Sequence, residues 1–225
     1  MIVTSNDKMG ASGKATGFWL EEFAAPYYAF LGAGLAVTVA SPNGGAAPID
    51  AGSLAAGADN KECQRYLADA TAKAAIANTV KIADLLTRLD DFVAVFYPGG
   101  HGPMWDLTTN VDSHKIIADF VGKGKPLGTV CHGPSVLTQV RLPSGASVID
   151  GVKVTGFSNS EESAVGLTDV VPFSLENALK SAGGGYSAGP DWGENVVSDK
   201  NIVTGQNPAS SSKAAQEVLK LIMKT

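Results

Sequence analysis

Lys125-Pro-Leu-Gly-Thr-Val-Cys131-His132-Gly133-Pro134 is the stretch from which the fold can be read. Leu127 to Val130 is an apolar, partly β-branched run of strand length, entered through a turn at Pro126. Pro134 suits the first turn of a following helix, where a missing N–H costs nothing. Between strand and helix the chain must reverse sharply, and Gly133 permits the close turn. A residue on such an elbow is pushed out above the sheet, over a helix N-terminus that favours a thiolate. His132 beside it supplies a base that titrates near neutrality. Free cysteine more often packs as a small apolar group. A polar His-Gly-Pro directly after an apolar strand does not continue a core, however. It marks a strand end, where open α/β sheets bind ligands. Cys131 is therefore expected to be reactive.

The rest of the chain fits that start. Its 225 residues, 44% hydrophobic and 17% charged, suit one large globular domain over 1–225. A net charge of -5, a pI near 5.1 and no Lys/Arg-rich run argue against a nucleic-acid partner. Two cysteines, Cys63 and Cys131, make no disulfide framework and suit a reducing compartment. With no signal-peptide or membrane-span pattern, the expected location is the cytoplasm, without membrane contact.

In chain order, residues 2–5 read as a first strand, short for a sheet centre, as if the chain began a few residues late. A helix is expected over 18–31, with Glu21 and Glu22 in its opening turns, where acidic residues complement the helix dipole. Residues 35–40 read as a buried strand, 41–60 as a Gly/Ala/Pro-rich surface excursion that extends to about 78, and 61–78 as a helix. Cys63, with no histidine beside it, is expected to be structural. Residues 80–89 continue as helix and feed the apolar strand 92–97, which ends in Pro98-Gly99-Gly100-His101-Gly102-Pro103. Two glycines after a strand free backbone N–H groups to face a ligand, as an oxyanion hole requires. A helix over 112–122 leads back to the Cys131 strand. Asp150-Gly151 signals a hairpin, residues 158–162 a capped helix start, and 175–182 another helix. A second hairpin is expected about Asp199-Lys200, and an amphipathic helix over 210–223 closes the chain. Alternating strands and helices predict an α/β fold, a mostly parallel central sheet with helices on both faces.

With these motifs in place, the chain resembles the ThiJ/PfpI superfamily, whose flavodoxin-like fold is that of the class I glutamine amidotransferases. Within it the chain is most similar to the stress-chaperone and glutathione-independent glyoxalase III branch. TGFWLEEFAAP at 16–26, YPGGHG at 97–102, GTVCHGP at 128–134, VTGFSNSEE at 154–162 and VTGQNPAS at 203–210 carry the resemblance. It implies Cys131 as nucleophile with His132 adjacent, and Glu22, four residues before Pro26, as the glutamate on the cysteine. It implies Glu162 as the acid that orients the histidine, and the amides of Gly100 and His132 as the oxyanion hole. Glu21 and Glu161 are the adjacent alternatives. A homodimer and a small 2-oxoaldehyde substrate are implied as well.

Such groups suit attack on an activated carbonyl. Methylglyoxal would form a hemithioacetal on Cys131, rearrange through an enediol, and leave as lactate after thioester hydrolysis. That requires Glu22 to hold a proton, hence an environment that raises its pKa. No cofactor is called for, and His101, His114 and His132 show no metal-ligand spacing with the cysteines. The competing functions are a holdase chaperone or oxidative-stress sensor acting through Cys131 oxidation, and a cysteine peptidase or amidase with an open cleft.

Overall fold

The computed structural model describes residues 1–224; Thr225, the last residue of the expected domain, lies outside them. Its elements are α1 Leu20–Gly32, β1 Ala40–Ser41, α2 Ala51–Ala56, α3 Lys61–Ala68, α4 Ala70–Ala77, β2 Val80–Lys81, β3 Val95–Tyr97 and α5 Pro103–Asp106. There follow α6 Val111–Gly122, β4 Leu127–Val130, β5 Lys153–Val154, α7 Asn159–Ala164, α8 Leu175–Ser181, β6 Gly185–Tyr186, β7 Val196–Asp199, β8 Ile202–Gly205 and α9 Ser211–Ile222. β3, β4 and β8 run parallel in that order, with Val95 opposite Leu127 and Leu127 opposite Ile202. β7 closes this edge antiparallel to β8. On the other side, the first residues join β3 to the parallel pair β1–β2: Ile2 N–H donates to Phe96 and Val3 N–H to Ala40, both at 2.9 Å. These strands thus build a mostly parallel central sheet with helices on both faces, beside a separate two-stranded pair, β5–β6.

Apolar strands buried on both faces explain the parallel arrangement. β4 is buried along its whole length, and Phe96, Tyr97, Ile116, Ile117 and Phe120 are among the largest enclosed side chains. A second core cluster forms where Phe23 and Tyr27 of α1 meet Tyr66 of α3, with ring centroids 5.0 and 6.1 Å from Phe23. The segment 41–78 is therefore more than a surface excursion: it packs its own apolar face on α1.

Several local expectations are corrected. Of residues 35–40 only Ala40 falls within a strand, β1, although Thr38 O accepts from the Met1 amine at 2.7 Å and Val39 O from the Val80 amide at 2.9 Å. The helix expected over 61–78 breaks at Asp69, whose side chain caps α4 by accepting from the Thr71 and Ala72 amides. Residues 80–89 begin as β2 and continue as a 3-10 helix. The Asp150-Gly151 turn makes no hairpin; β5 after it pairs parallel with β6. The hairpin about Asp199-Lys200 is present, with Lys200 at φ 53°. Among the described residues, no helix is long and apolar enough to cross a membrane.

Candidate active site

The carboxyl ends of β3, β4 and β8 lie side by side, so the segments 98–103, 131–134 and 206–210 gather above one end of the sheet. The chain leaves β4 with Cys131 at φ 60°, a left-handed conformation that costs a non-glycine residue about 1–3 kcal/mol. Two backbone bonds hold it: the Cys131 N–H donates to Gly205 O at 3.0 Å, and its carbonyl accepts from Phe157 at 2.9 Å. The element that follows is a 3-10 helix, Gly133–Leu137, and not the expected α-helix. Its dipole is correspondingly short, and the thiolate stabilisation expected from a helix N-terminus is outweighed. Burial, and then Glu22, hold the Cys131 thiol well above its usual pKa.

Glu22 reaches the sulfur from α1. Pro26, which has no N–H, leaves the Glu22 carbonyl without its usual helical donor within an otherwise continuous α1. Glu22 is fully buried; its Oε2 accepts from the Gly99 amide at 2.7 Å, while Oε1 has no hydrogen-bond partner of good geometry. Burial holds its pKa well above the carboxylate range, and the Cys131 thiol is coupled to it. Such a pocket tolerates at most one negative charge between the two acids.

Cys131 Sγ lies 3.3 Å from His132 Nδ1, and His132 Nε2 lies 2.6 Å from Glu162 Oε2. A second imidazole shares the same carboxylate: His101 Nε2 is 2.8 Å from Glu162 Oε1, and the two rings lie 3.9 Å apart. A carboxylate only accepts, so both imidazoles present Nε2–H to it, and His132 Nδ1 is left to accept from the thiol. Burial opposes the Glu162 charge, but the two imidazole bonds bring its pKa down to about 2. Burial and the adjacent His101 lower His132 to about 4, so its ring is neutral at neutral pH.

Gly99 and Gly100 are set by close approach. A Cβ on Gly99 would come within 2.7 Å of Glu22 Oε2 and His132 N. One on Gly100, at φ 81°, would come within 2.6 Å of Trp19 N. A side chain at Gly99 would displace the Glu22 carboxyl from His132, and one at Gly100 would displace the backbone of residues 17–19. Above them is a cavity of about 300 Å³, bounded by Trp19, Ala56, Phe157, Trp192 and Pro208 among others, with Cys131, His101 and His132 at its floor.

The DJ-1/PfpI family model matches residues 14–221. The chain belongs to the DJ-1/PfpI family. Glyoxalase 3 of Candida albicans is 29% identical over 97% of this chain and 94% of its own. A glutathione-independent glyoxalase of Saccharomyces cerevisiae is 28% identical over 95% of this chain and 92% of its own. Among solved structures, the Rapid Encystment Protein 24 kDa of Francisella tularensis superposes with a TM-score of 0.94 at 38% identity, covering 99% of this chain and 97% of that one. Glyoxalase III of Candida albicans superposes with a TM-score of 0.89 at 28% identity, covering 98% and 95%.

The fold of this DJ-1/PfpI chain brings Cys131, His132, Glu22, Glu162 and the Gly100 loop together. Each adjacent glutamate is turned elsewhere. Glu21 sits at the cavity rim and accepts from Asn60 at 3.1 Å. Glu161 is buried in a capping box with Ser158. Cys63 is buried on α3, and burial raises it to about 11. Spacing in the sequence gave no metal set, yet His101, His132 and Glu162 bring donor atoms within 4.8 Å of one another, and they are the groups that could hold a divalent ion. The partnership of His101 with Glu162, and the cavity residues Phe157, Trp192 and Asn207, escaped the sequence reading. A polar His101 between two glycines at a strand end was the available signal.

Proposed function

We propose that this protein is a cofactor-independent glyoxalase of the glutathione-independent type, a lyase that converts 2-oxoaldehydes such as methylglyoxal to 2-hydroxy acids such as lactate. The observation that carries it is the buried Glu22–Cys131 pair, a carboxyl group whose protonated form burial favours, set against a thiol with an imidazole on its other side. Thiol addition to the aldehyde forms the S–C bond and sends the sulfur proton to His132 Nδ1. The Gly100 and His132 amides receive the developing oxyanion. His132 passes the sulfur proton on to that oxyanion, takes the proton from the first carbon and delivers it to the second through an enediol, while Glu22 holds the proton on the substrate oxygen. The first carbon is oxidised to a thioester as the second is reduced to a carbinol, and water releases the acid and the thiol. Glu162 keeps His132 in the tautomer that this sequence needs.

The names of the relatives support this reading, as does a bounded cavity, walled in part by Ala56 of the 41–78 segment, in place of an extended groove. A peptidase or amidase would need an open groove for an extended chain. A homodimer and a stress-chaperone role belong to the same proposal; light scattering tests the first, and suppression of client aggregation by an inactive Cys131 variant the second. The reaction is tested by incubation with methylglyoxal, glyoxal and a peptide amide in glutathione-free buffer. Lactate and glycolate are the expected products; cleavage of the amide alone would overturn the assignment.

A further inference from the structure

Methylglyoxal has five non-hydrogen atoms, and a cavity of about 300 Å³ is far larger than it needs. Pockets of about that size accommodate much bulkier ligands. The surplus space is bounded by apolar groups: Trp19, Ala56, Val165, Trp192, Pro208 and Ala209. Trp192 is half exposed at the mouth, with its ring centroid 5.8 Å from that of Phe157, which in turn lies 4.4 Å from the His132 ring. Inclined to one another by 63° and 37°, these rings form a continuous aromatic lining from the mouth to the base.

That wall is held with unusual care. Trp192 has φ 63°, a conformation that bulky residues adopt only when their surroundings enforce it. Its amide donates to the fully buried Glu161 Oε1 at 2.9 Å, and the buried Asn207 Nδ2 donates to the same oxygen and to Gly193 O, both at 2.8 Å. The other Glu161 oxygen accepts the Ser158 amide at 3.0 Å, fixing the bracket to the start of α7. The carboxyl group that caps α7 thus also holds a half-exposed tryptophan over the cavity mouth. A loop with no further task would not need this.

We propose that Trp192 forms the outer wall of an apolar subsite, held by Glu161 and Asn207 as positioning residues, and that the preferred substrates are 2-oxoaldehydes bearing an aromatic or branched-alkyl group on the ketone carbon. This rests on the glyoxalase reading and specifies its substrate class. The reaction balances as before: phenylglyoxal and water give mandelate, the aldehyde carbon oxidised and the ketone carbon reduced.

The test has a kinetic and a binding arm. Wild-type kcat/KM for phenylglyoxal should exceed that for methylglyoxal by about tenfold or more, the scale on which apolar pockets discriminate added carbon. Trp192→Ala should bring the two within about threefold, and Trp192→Phe should retain most of the preference. Glu161→Gln should erode it mainly through KM for phenylglyoxal. In the binding arm, calorimetry on Cys131→Ser should show mandelate binding about tenfold tighter than lactate, with the difference lost on adding Trp192→Ala. Mandelate preference without any turnover would support the subsite and overturn the glyoxalase reading. Turnover with a preference that Trp192→Ala leaves intact, or equal binding of the two acids, would overturn the subsite.

Discussion

Glu162→Gln probes the shared carboxylate most sharply. In the wild type each of its oxygens accepts one imidazole N–H, at 2.8 Å from His101 and 2.6 Å from His132, with side-chain exposures of 11% and 1% for the two rings. Solvent screening is slight there, so the charge is felt in full. The amide can keep one accepting bond and must turn its NH2 toward the other ring. His101 can take that NH2 by moving its own proton to Nδ1, which leaves His132 in its working tautomer. What is then lost is charge assistance: bonds to charged groups contribute about 1.5–3 kcal/mol and neutral ones about 0.5–1.5. A difference of about 1–2 kcal/mol at the imidazolium corresponds to a fall of about five- to thirtyfold in kcat/KM for lactate formation. Steady-state kinetics with methylglyoxal, alongside a thermal melt to confirm folding, measures it. A rate within twofold of wild type would refute the orienting role. A loss of about ten-thousand-fold, the size seen when a triad base is locked in the wrong tautomer, would refute the part given to His101.

Other expectations follow from the same geometry. Glu22→Gln keeps an acceptor for the Gly99 amide but cannot exchange a proton, so turnover should fall about 100-fold or more while the fold is retained; full activity would remove the proton-transfer role. The acid limb of kcat/KM should lie near pH 4, because His132 gains a proton only there and is lost as a base below it; a limb at pH 6.5 would show an unperturbed ring. Stability should decline in the same direction. The unfolded chain protonates His132 from about 6.5 downward and the folded chain only near 4, so stability present above pH 6.5 is lost as pH falls, as a denaturant series over that range would show. Brief iodoacetamide treatment followed by peptide mapping should label Cys131, which faces the cavity, well ahead of Cys63, with a rate still rising above pH 8. Equal labelling, or a plateau at neutral pH, would contradict a protonated thiol in an open-topped site.

The sheet was legible because its strands are continuous apolar runs and its site loops are punctuated by glycine. Both signals are local, and 127–130 and 95–97 carry them without help from the rest of the chain. The choice of Glu22 over Glu21 and Glu162 over Glu161 rested on resemblance. The physical reason emerges only from packing: adjacent helical positions face about 100° apart, so one of each pair meets the site while the other meets Asn60 or caps α7. The parallel pairing of β5 could not be read, since its partner β6 is distant in sequence, whereas the break at Asp69 is a local cap on Thr71 and Ala72 that the Ala-rich helical pattern of 61–78 concealed. The protonation of Cys131 was misjudged for a related reason. A helix dipole can be inferred from the sequence, but the burial that opposes it comes from elements remote in the chain, among them α1, which packs Glu22 against the sulfur. His101 escaped notice because its partner lies 61 residues away.

The central claim is that Cys131 carries turnover of a 2-oxoaldehyde by covalent addition. Wild type and Cys131→Ala, incubated with methylglyoxal in chelated, thiol-free buffer and assayed for lactate, test it most directly. Lactate from the wild type, with a loss of about a thousandfold or more in the variant, is the predicted result. Lactate formed at comparable rates by both proteins, or by neither, would contradict it.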